Sequence, residues 1–163
     1  MCRIEFVPVL LTDQAEIFSI RKDGESSSEF QKFYIRFKDT EDRYLADDLN
    51  RILAAINSIG QNGALERDTK PEGHIYDRVC ALPLLSLPRN NNQHGTLRLY
   101  CIRVSDKLFI LGGGGLKTTK TYEEDNLLWH HVHLLQMIDK KLWEMEYDGR
   151  QIEQEIYNLV IDI

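Results

Sequence analysis

The spacing of apolar residues changes several times along the chain, and it predicts the order of strands and helices. The run 3–11 is a mixed apolar stretch, and apolar and polar residues alternate over 16–21, as they do in a strand. Three later runs, 75–82, 96–104 and 107–111, predict further strands. Ser105 and Asp106 separate the last two runs, so these two strands are expected to form a hairpin.

Four helices are predicted from helical periodicity and from their end signals. The capping-box pattern from Ser26 to Glu29 favours a helix start, and aromatic residues recur at helical spacing after it. A second helix is expected over 41–59, ended by the glycines at 60–63. A third helix follows another capping box at 121–124 and closes at Gly149, and 150–161 indicates a short fourth helix.

These elements predict one α+β domain over 1–163, with a small antiparallel sheet packed by an N-terminal helical hairpin and followed by C-terminal helices. Two adjacent amphipathic helices need an apolar surface to lie on, and the three later strands supply it. A chain of 163 residues can bury a sufficient core without disulfides or metals. Residues 149–163 are expected to form a helical extension of this domain.

Composition and charge indicate which cellular compartment and which kinds of partner to expect for this chain. The three cysteines are scattered and lack a C-x-x-C pair, which favours a reducing compartment. No apolar run reaches the length of a membrane span and no signal peptide precedes the first strand, so a cytoplasmic protein without membrane contact is expected. The net charge is −6, but it is segregated: 89–121 holds six basic residues against one acid, whereas 122–163 holds ten acids against three basic residues.

Two segments carry a resemblance to a known family. The run Thr96-Leu-Arg-Leu-Tyr-Cys-Ile-Arg103 is similar to a strand of the RelE/ParE superfamily, the toxins of type II toxin-antitoxin modules. The strand 108–111, together with Lys117-Thr-Thr-Lys-Thr121, is similar to that family's last strand and exit loop. The order of a strand, two helices, three strands and a helix is also similar. The four glycines at 112–115 and the long loop 83–95 depart from the family pattern.

The resemblance implies a RelE-like mRNA endoribonuclease that inhibits translation, acts on ribosome-bound or free mRNA, and is controlled by an antitoxin protein. In this reaction a ribose 2'-hydroxyl attacks the adjacent phosphate without a metal or another cofactor. Cationic donors must therefore meet the charge that grows on the phosphate. The candidates for this catalytic role are Arg98, Lys117 and Lys120. The candidates for RNA binding are Tyr100, Arg103, Lys107 and Arg89.

Strand parity orders these candidates, because successive side chains of a strand point to opposite faces of a sheet. Leu97, Leu99 and Cys101 share one face, which is expected to pack on the helices. Arg98 and Tyr100 would then project from an open face, where an RNA base could stack on the tyrosine ring. Arg103 shares the parity of the covered face and ranks below Arg98 for that reason. The alternative is that Arg98 and Tyr100 belong to an ordinary solvated sheet face.

Three histidines, His130, His131 and His133, lie within four residues of the third helix. Their spacing is poor for a metal site, because His131 is rotated about 100° from His130. The position of His131 between apolar stripe residues indicates a histidine at the edge of the core. One of these imidazoles, or His94, could act as a general base, since the ordinary pKa of histidine suits that task.

Other patterns leave a second function open. The glycines at 112–115 lack the spacing of a phosphate-binding loop, so they favour close backbone approach or flexibility at a strand end. The acidic C-terminal helices are either solvated faces or a surface that holds the basic segment until a partner arrives. The alternative function is a non-catalytic RelE/ParE-like module that binds or regulates a protein partner, because fold does not fix function.

Overall fold

The computed structural model describes residues 2–65, 70–71, 78–83, 95–118 and 126–163. It is an α+β structure, as predicted. The N-terminal half contains, in chain order, β1 (Arg3–Leu11), β2 (Glu16–Lys22), α1 (Glu29–Phe37) and α2 (Arg43–Asn62). The C-terminal half contains β3 (Lys70–Pro71), β4 (Val79–Leu82), β5 (Thr96–Arg103), β6 (Leu108–Lys117), α3 (Asn126–Tyr147), α4 (Ile152–Glu155) and β7 (Val160–Asp162).

The strands within the described ranges form a single sheet in the order β3-β4-β5-β6-β2-β1-β7. All neighbours are antiparallel except β2 and β6, which run parallel from Glu16 opposite Leu108 to Ser19 opposite Leu111. The prediction of a purely antiparallel sheet is therefore wrong. Parallel neighbours need a long connection, and α1, α2 and β3 to β5 all lie between β2 and β6 in the chain. The predicted hairpin between β5 and β6 is confirmed.

Helices cover both faces of this sheet. Leu97, Leu99 and Cys101 pack with residues of α1 and α2, so the predicted apolar face is confirmed. On the opposite face, Tyr100 packs in a second core with the apolar stripe of α3. The prediction that this face of β5 is open to solvent is therefore wrong. A strand buried on both faces has a near-continuous apolar sequence, and β5 interrupts its run with only one charged residue between its ends.

The ends of several elements differ from the predictions. Ser28, rather than Ser26, caps α1 and forms the capping box with Gln31. Glu29 is consequently the first residue of the helix and is free of the capping role that the sequence pattern gave it. The second capping box, at 121–124, lies outside the described residues. The extension 149–163 contains only the short helix α4 and one 3-10 turn before it ends in β7, which pairs with β1.

The four glycines at 112–115 lie within β6 rather than in a loop. The pairing of β5 with β6 shifts between Leu99 and Cys101, which face Gly114 and Leu111 respectively, so β6 carries an extra residue in a β-bulge. At Gly114 an added Cβ would overlap the backbone carbonyl of Arg98. The glycine at this position is thus required by the close approach of the two strands.

Candidate active site

The structure separates the residues that the sequence grouped as a basic site. Arg98 is only 6% exposed, and its Nη1 donates a hydrogen bond of 2.5 Å to the carbonyl oxygen of Pro83. Its Nε is buried without a hydrogen-bond partner among the described residues. Tyr100 is fully buried. The expectation that Arg98 and Tyr100 project from an open surface is wrong, because α3 covers that face.

The remaining basic candidates lie at opposite ends of the β5–β6 hairpin. Lys117 ends β6 and is partly buried opposite Thr96. Arg103 donates from Nε to the carbonyl oxygen of Ala64 at 2.6 Å and pairs with Asp106, and the exposed Lys107 follows in the turn. A strand rises about 3.3 Å per residue, so Lys107 lies roughly 30 Å from Lys117 along the hairpin. Lys120, Arg89 and His94 lie outside the described residues.

A different set of side chains surrounds a cavity of about 170 Å³ over the middle of β6. The cavity lies between α1 and the first half of α3, and strand β6 forms its floor. The residues that line it are Glu29, Lys32, Phe33, Arg36, Gly113, Gly114 and His131.

The start of α1 is fixed beside β6 by a buried serine. Ser19 of β2 donates its hydroxyl to the carbonyl oxygen of Leu111 at 2.9 Å and accepts the backbone N–H of Phe30 at 3.1 Å. It thereby satisfies one of the free N–H groups at the helix N-terminus and joins β2, β6 and α1. Residues spaced by three and four share one helix edge, so Glu29, Lys32 and Arg36 all face the cavity.

The floor of the cavity requires glycine at position 113. An added Cβ at Gly113 would come within 2.5 Å of both Cε1 and Nδ1 of His131 and within 3.3 Å of Oε2 of Glu29. The imidazole and the carboxylate are therefore neighbours above the same backbone point. Because glycine has no side chain, the ring of His131 and the carboxylate of Glu29 can both lie close to the backbone of β6.

Glu29 is a buried carboxylate, 3% exposed, held between cations. Its Oε1 lies 2.7 Å from Nζ of Lys32 and 3.6 Å from Nζ of Lys22. Burial lowers the pKa of Lys32, but the hydrogen bonds from its ammonium to Glu25 and Glu29 outweigh this effect and raise the pKa above its ordinary value. Lys32 is consequently a fixed positive charge at neutral pH, anchored beside the cavity.

His131 is a partly buried imidazole with a lowered pKa. Desolvation is the main cause, and the positive charges of Lys22, Lys32 and Arg36 act in the same direction. The carboxylate of Glu29 opposes the shift, but only in part. The ring is therefore neutral at pH 7 and can accept a proton. The sequence interpretation of His131 as a histidine at the core edge fits this placement.

The other two histidines of α3 lie away from the cavity. His133 stacks on Trp129 with ring centroids 4.6 Å apart, and His130 contacts the same indole edge-on at 5.2 Å. His131 is about 200° around the helix from Trp129. Within the described ranges, no group of three His, Cys, Asp or Glu residues is placed to hold a metal ion.

The sequence interpretation missed Glu29, Lys32 and Arg36 as functional residues. Glu29 was assigned to a capping box, and the two cations resemble ordinary solvated residues of an amphipathic helix. The signal that was available is their spacing along one edge of α1, next to aromatic residues that are buried. Their connection with His131 is not visible in the sequence, because nearly one hundred residues separate them.

Among the helices that the structure describes, none combines the length and the apolar character needed to cross a membrane. Comparisons of the chain with protein-family models, with curated proteins and with solved structures found no match in any of the three.

Proposed function

We propose that this protein is a metal-independent endoribonuclease of the RelE/ParE toxin type, and that the cavity over Gly113 is its active site. The observation that carries the proposal is the meeting of a neutral imidazole, His131, with the carboxylate of Glu29 in a cavity lined by two cations. These are the groups that RNA transesterification needs: a proton acceptor and positive charge around a phosphate.

In the proposed reaction, His131 takes the proton of a ribose 2'-hydroxyl as its oxygen attacks the adjacent phosphorus. The bond from phosphorus to the 5'-oxygen breaks, and that oxygen receives a proton from the imidazolium or from water. The products are a 2',3'-cyclic phosphate and a 5'-hydroxyl. Glu29 stabilises the imidazolium while it exists, because an adjacent carboxylate favours the charged form.

Lys32 and Arg36 supply the positive charge that the pentacoordinate phosphate needs. The guanidinium of Arg36 also reaches over β6, where its Nη1 lies 3.8 Å from the point that a Cβ of Gly115 would occupy. Arginine matches the planar arrangement of phosphate oxygens, so it is suited to bind two of them at once. A cavity of about 170 Å³ can hold at most the reacting phosphate with its ribose, which favours a flexible single strand over a duplex.

The chain order around the cavity supports the RelE/ParE assignment. Strand β2, the helices α1 and α2, and the strands β4 to β6 follow one another as the resemblance implies. This proposed assignment implies two partners, which are mRNA, either ribosome-bound or free, and an antitoxin protein in the cytoplasm. Arg98 and Tyr100 have structural roles in the proposal, and Lys117 is a contact for the RNA backbone at the end of β6.

The reaction products test this proposal. Incubated with single-stranded RNA in excess EDTA, with and without translating ribosomes, the protein is expected to release 2',3'-cyclic phosphate and 5'-hydroxyl ends. DNA of the same sequence should remain intact, because it lacks the attacking hydroxyl. The Arg36→Ala variant should cleave about 100-fold more slowly, as when one donor to a transition-state anion is removed.

The matched control is Arg51→Ala, which removes an arginine of α2 that lies outside the cavity. It should retain the rate of the unmodified chain. Absence of cleavage under both conditions, or ends that carry a 5'-phosphate, would refute the proposed activity.

The pH dependence of cleavage follows from the lowered pKa of His131. A general base works in its neutral form, so kcat/KM should stay constant around pH 7 and fall only below the ordinary histidine pKa of about 6.5. Lys32→Ala should move the midpoint of the fall upward, because it removes a charge that lowers the pKa. Glu29→Gln should move it downward. Midpoints that shift in the opposite directions would exclude His131 as the titrating base.

A second candidate function is a non-catalytic RelE/ParE-like module that binds a protein partner. The burial of Arg98 favours it, because the arginine most similar to a family catalytic residue is out of reach of a substrate. The two candidates differ in the product assay. A binding module would leave RNA intact while remaining folded.

A further inference from the structure

Two of the three cysteines lie side by side in the sheet, although they are 21 positions apart in the chain. Cys80 of β4 is directly opposite Cys101 of β5 in the antiparallel pairing of these strands. Cys80 is 3% exposed and Cys101 is fully buried. Both side chains belong to the apolar cluster that packs on α1 and α2, so they lie on the same face of the sheet.

The thiol groups of these two cysteines are in contact. Sγ of Cys80 donates a weak hydrogen bond to the carbonyl oxygen of Cys101 at 3.6 Å. Burial raises the pKa of the Cys101 thiol well above its ordinary value, and a hydrogen bond with the Cys80 thiol raises it further. Cys101 is therefore a protonated thiol at neutral pH, and the sulfur nearest to it in the described residues is that of Cys80.

The backbone geometry at this pair permits a disulfide bond. The N–H of Arg103 donates to the carbonyl oxygen of Arg78 at 3.0 Å, so these opposite residues are a hydrogen-bonded pair. Such pairs recur at every second residue, which makes Cys80 and Cys101 a pair of the same kind. Their Cα atoms are consequently about 5.5 Å apart, within the range of about 4.4–6.8 Å that disulfide bonds span.

The third cysteine is too far away to compete. Cys2 precedes β1, and in the order of the sheet β6 and β2 lie between β1 and β5. Neighbouring strands are about 4.8 Å apart, so Cys2 is at least about 14 Å from Cys101 and still farther from Cys80. Each buried thiol therefore has the other as its disulfide partner within this chain.

We propose that Cys80 and Cys101 are a redox pair, which forms a reversible disulfide bond when the protein meets a peroxide and so protects both thiols from irreversible oxidation. A lone thiol that is oxidised to a sulfenic acid proceeds to a sulfinic acid, which thiols do not reduce. A second thiol in contact with the sulfenic acid converts it to a disulfide first, and thiols do reduce a disulfide.

The reaction takes two steps and consumes one hydrogen peroxide. Cys80, which keeps the small exposure that Cys101 lacks, attacks the peroxide as a thiolate; an S–O bond forms, the O–O bond breaks, and the departing hydroxide takes up the proton that the thiol released. Sγ of Cys101 then attacks the sulfenic sulfur of Cys80. The S–O bond breaks, and the hydroxyl group leaves as water with the proton of the Cys101 thiol. The two sulfur atoms together give two electrons to the peroxide.

The position of the pair near one edge of the sheet gives the oxidant access. Strand β4 pairs with β5 over only four residues, and its other neighbour, β3, pairs with it over two. Local opening of β4 exposes Cys80, so the oxidation is slower than that of an exposed thiol. Neither cysteine lines the cavity over Gly113, and the inference does not rest on the proposed RNA cleavage.

Peptide mapping after oxidation of the folded chain tests the proposal. The reduced protein is treated with hydrogen peroxide, the excess is removed with catalase, and the remaining thiols are alkylated in denaturant before digestion with trypsin. Peptides 79–89 and 99–103, which contain the two cysteines, should appear as one linked species that dithiothreitol separates. Free thiols at both positions, or a link from either position to Cys2, would overturn the proposal.

Variants test the protective role. Cys101→Ala should lose the linked species, and its Cys80 should accumulate sulfinic acid that dithiothreitol does not reverse. The matched control, Cys2→Ala, should form the link as the unmodified chain does. Circular dichroism establishes that each variant is folded. Equal amounts of sulfinic acid at Cys80 in the unmodified chain and in Cys101→Ala would show that the second thiol protects nothing, and this result would also overturn the proposal.

Thermal denaturation gives a second readout that does not depend on the variants. A bond between β4 and β5 closes a loop of about twenty residues and restricts the unfolded chain, so the oxidised form should have a Tm about 5–10 °C above that of the reduced form. Dithiothreitol should restore the lower value. A Tm that stays the same or falls on oxidation would mean that the bond forms only by distorting the sheet, which contradicts a pair placed for reversible oxidation.

Discussion

The His131→Ala variant is expected to cleave single-stranded RNA about 10²- to 10⁴-fold more slowly than the unmodified chain. The substitution removes the group that accepts the 2'-hydroxyl proton, and a positioned general base usually contributes a rate factor of this size. The imidazole is partly buried, so a small gap remains, but the carboxylate and the two cations stay in place. The measurement is the single-turnover rate at saturating protein, because that rate separates the chemical step from RNA binding.

His130→Ala supplies the matched control for this experiment. It removes an imidazole from the preceding position of the same helix, where the side chain is exposed against Trp129. Its single-turnover rate should remain within about twofold of the unmodified chain. Equal losses in the two variants would mean that the histidines act through helix stability, and an unchanged rate in His131→Ala would remove the proposed base.

The Gly114→Ala variant is expected to lose at least about 3 kcal/mol of its free energy of unfolding. Its methyl group would overlap the backbone carbonyl of Arg98 on the neighbouring strand, and no change of side-chain rotamer relieves an overlap with backbone. Strands β5 and β6 must separate locally, at the centre of the sheet. For a chain of this size the loss corresponds to roughly 6–12 °C in Tm, which thermal denaturation measures directly.

Gly115→Ala is the control for this prediction. Its added methyl group would be in ordinary contact with Leu128 at 3.4 Å and with Arg36 at 3.8 Å. A change within about 1 kcal/mol is expected. If the two variants were equally stable, the close approach of the strands at the bulge would be refuted.

The order of elements could be predicted because local patterns determine it. Alternation in β2, the helical spacing of apolar residues in α2 and the apolar runs of β5 and β6 all led to the correct element types. The parity of Leu97, Leu99 and Cys101 also identified the face that packs on α1 and α2. These features depend on neighbours a few residues apart, which a sequence displays directly.

The covering of the second face could not be predicted in the same way. Arg98 marks its face as polar in the sequence, yet α3 buries that face and Pro83 accepts a hydrogen bond from the guanidinium. The glycines at 112–115 resembled a loop because glycine is disfavoured in strands. Their role depends on what approaches them from distant parts of the chain, namely the carbonyl of Arg98 and the ring of His131.

The candidate site likewise has one part that the local sequence indicates and one part that depends on distant segments of the chain. His131 could be placed at the edge of the core from the stripe of α3, but its charged neighbours come from α1 and β2. The sequence candidates for catalysis followed the concentration of positive charge in 89–121. The structure instead assembles a site where fewer cations converge on one imidazole and one carboxylate. A site of this kind is identified by functional side chains that meet at one place in the structure, and a high local density of charge in the sequence does not identify it.

The most direct test of the site is the NMR titration of the histidine rings in the presence of a 2'-O-methyl oligoribonucleotide, which binds but cannot be cleaved. The account predicts that binding shifts the ring resonances of His131 and raises the pKa of His131, because a phosphate anion in the cavity favours the imidazolium. The ring resonances of His130 and His133, which lie away from the cavity, should stay where they are when the oligoribonucleotide binds. Binding that leaves His131 unchanged while it perturbs another part of the surface would contradict the account.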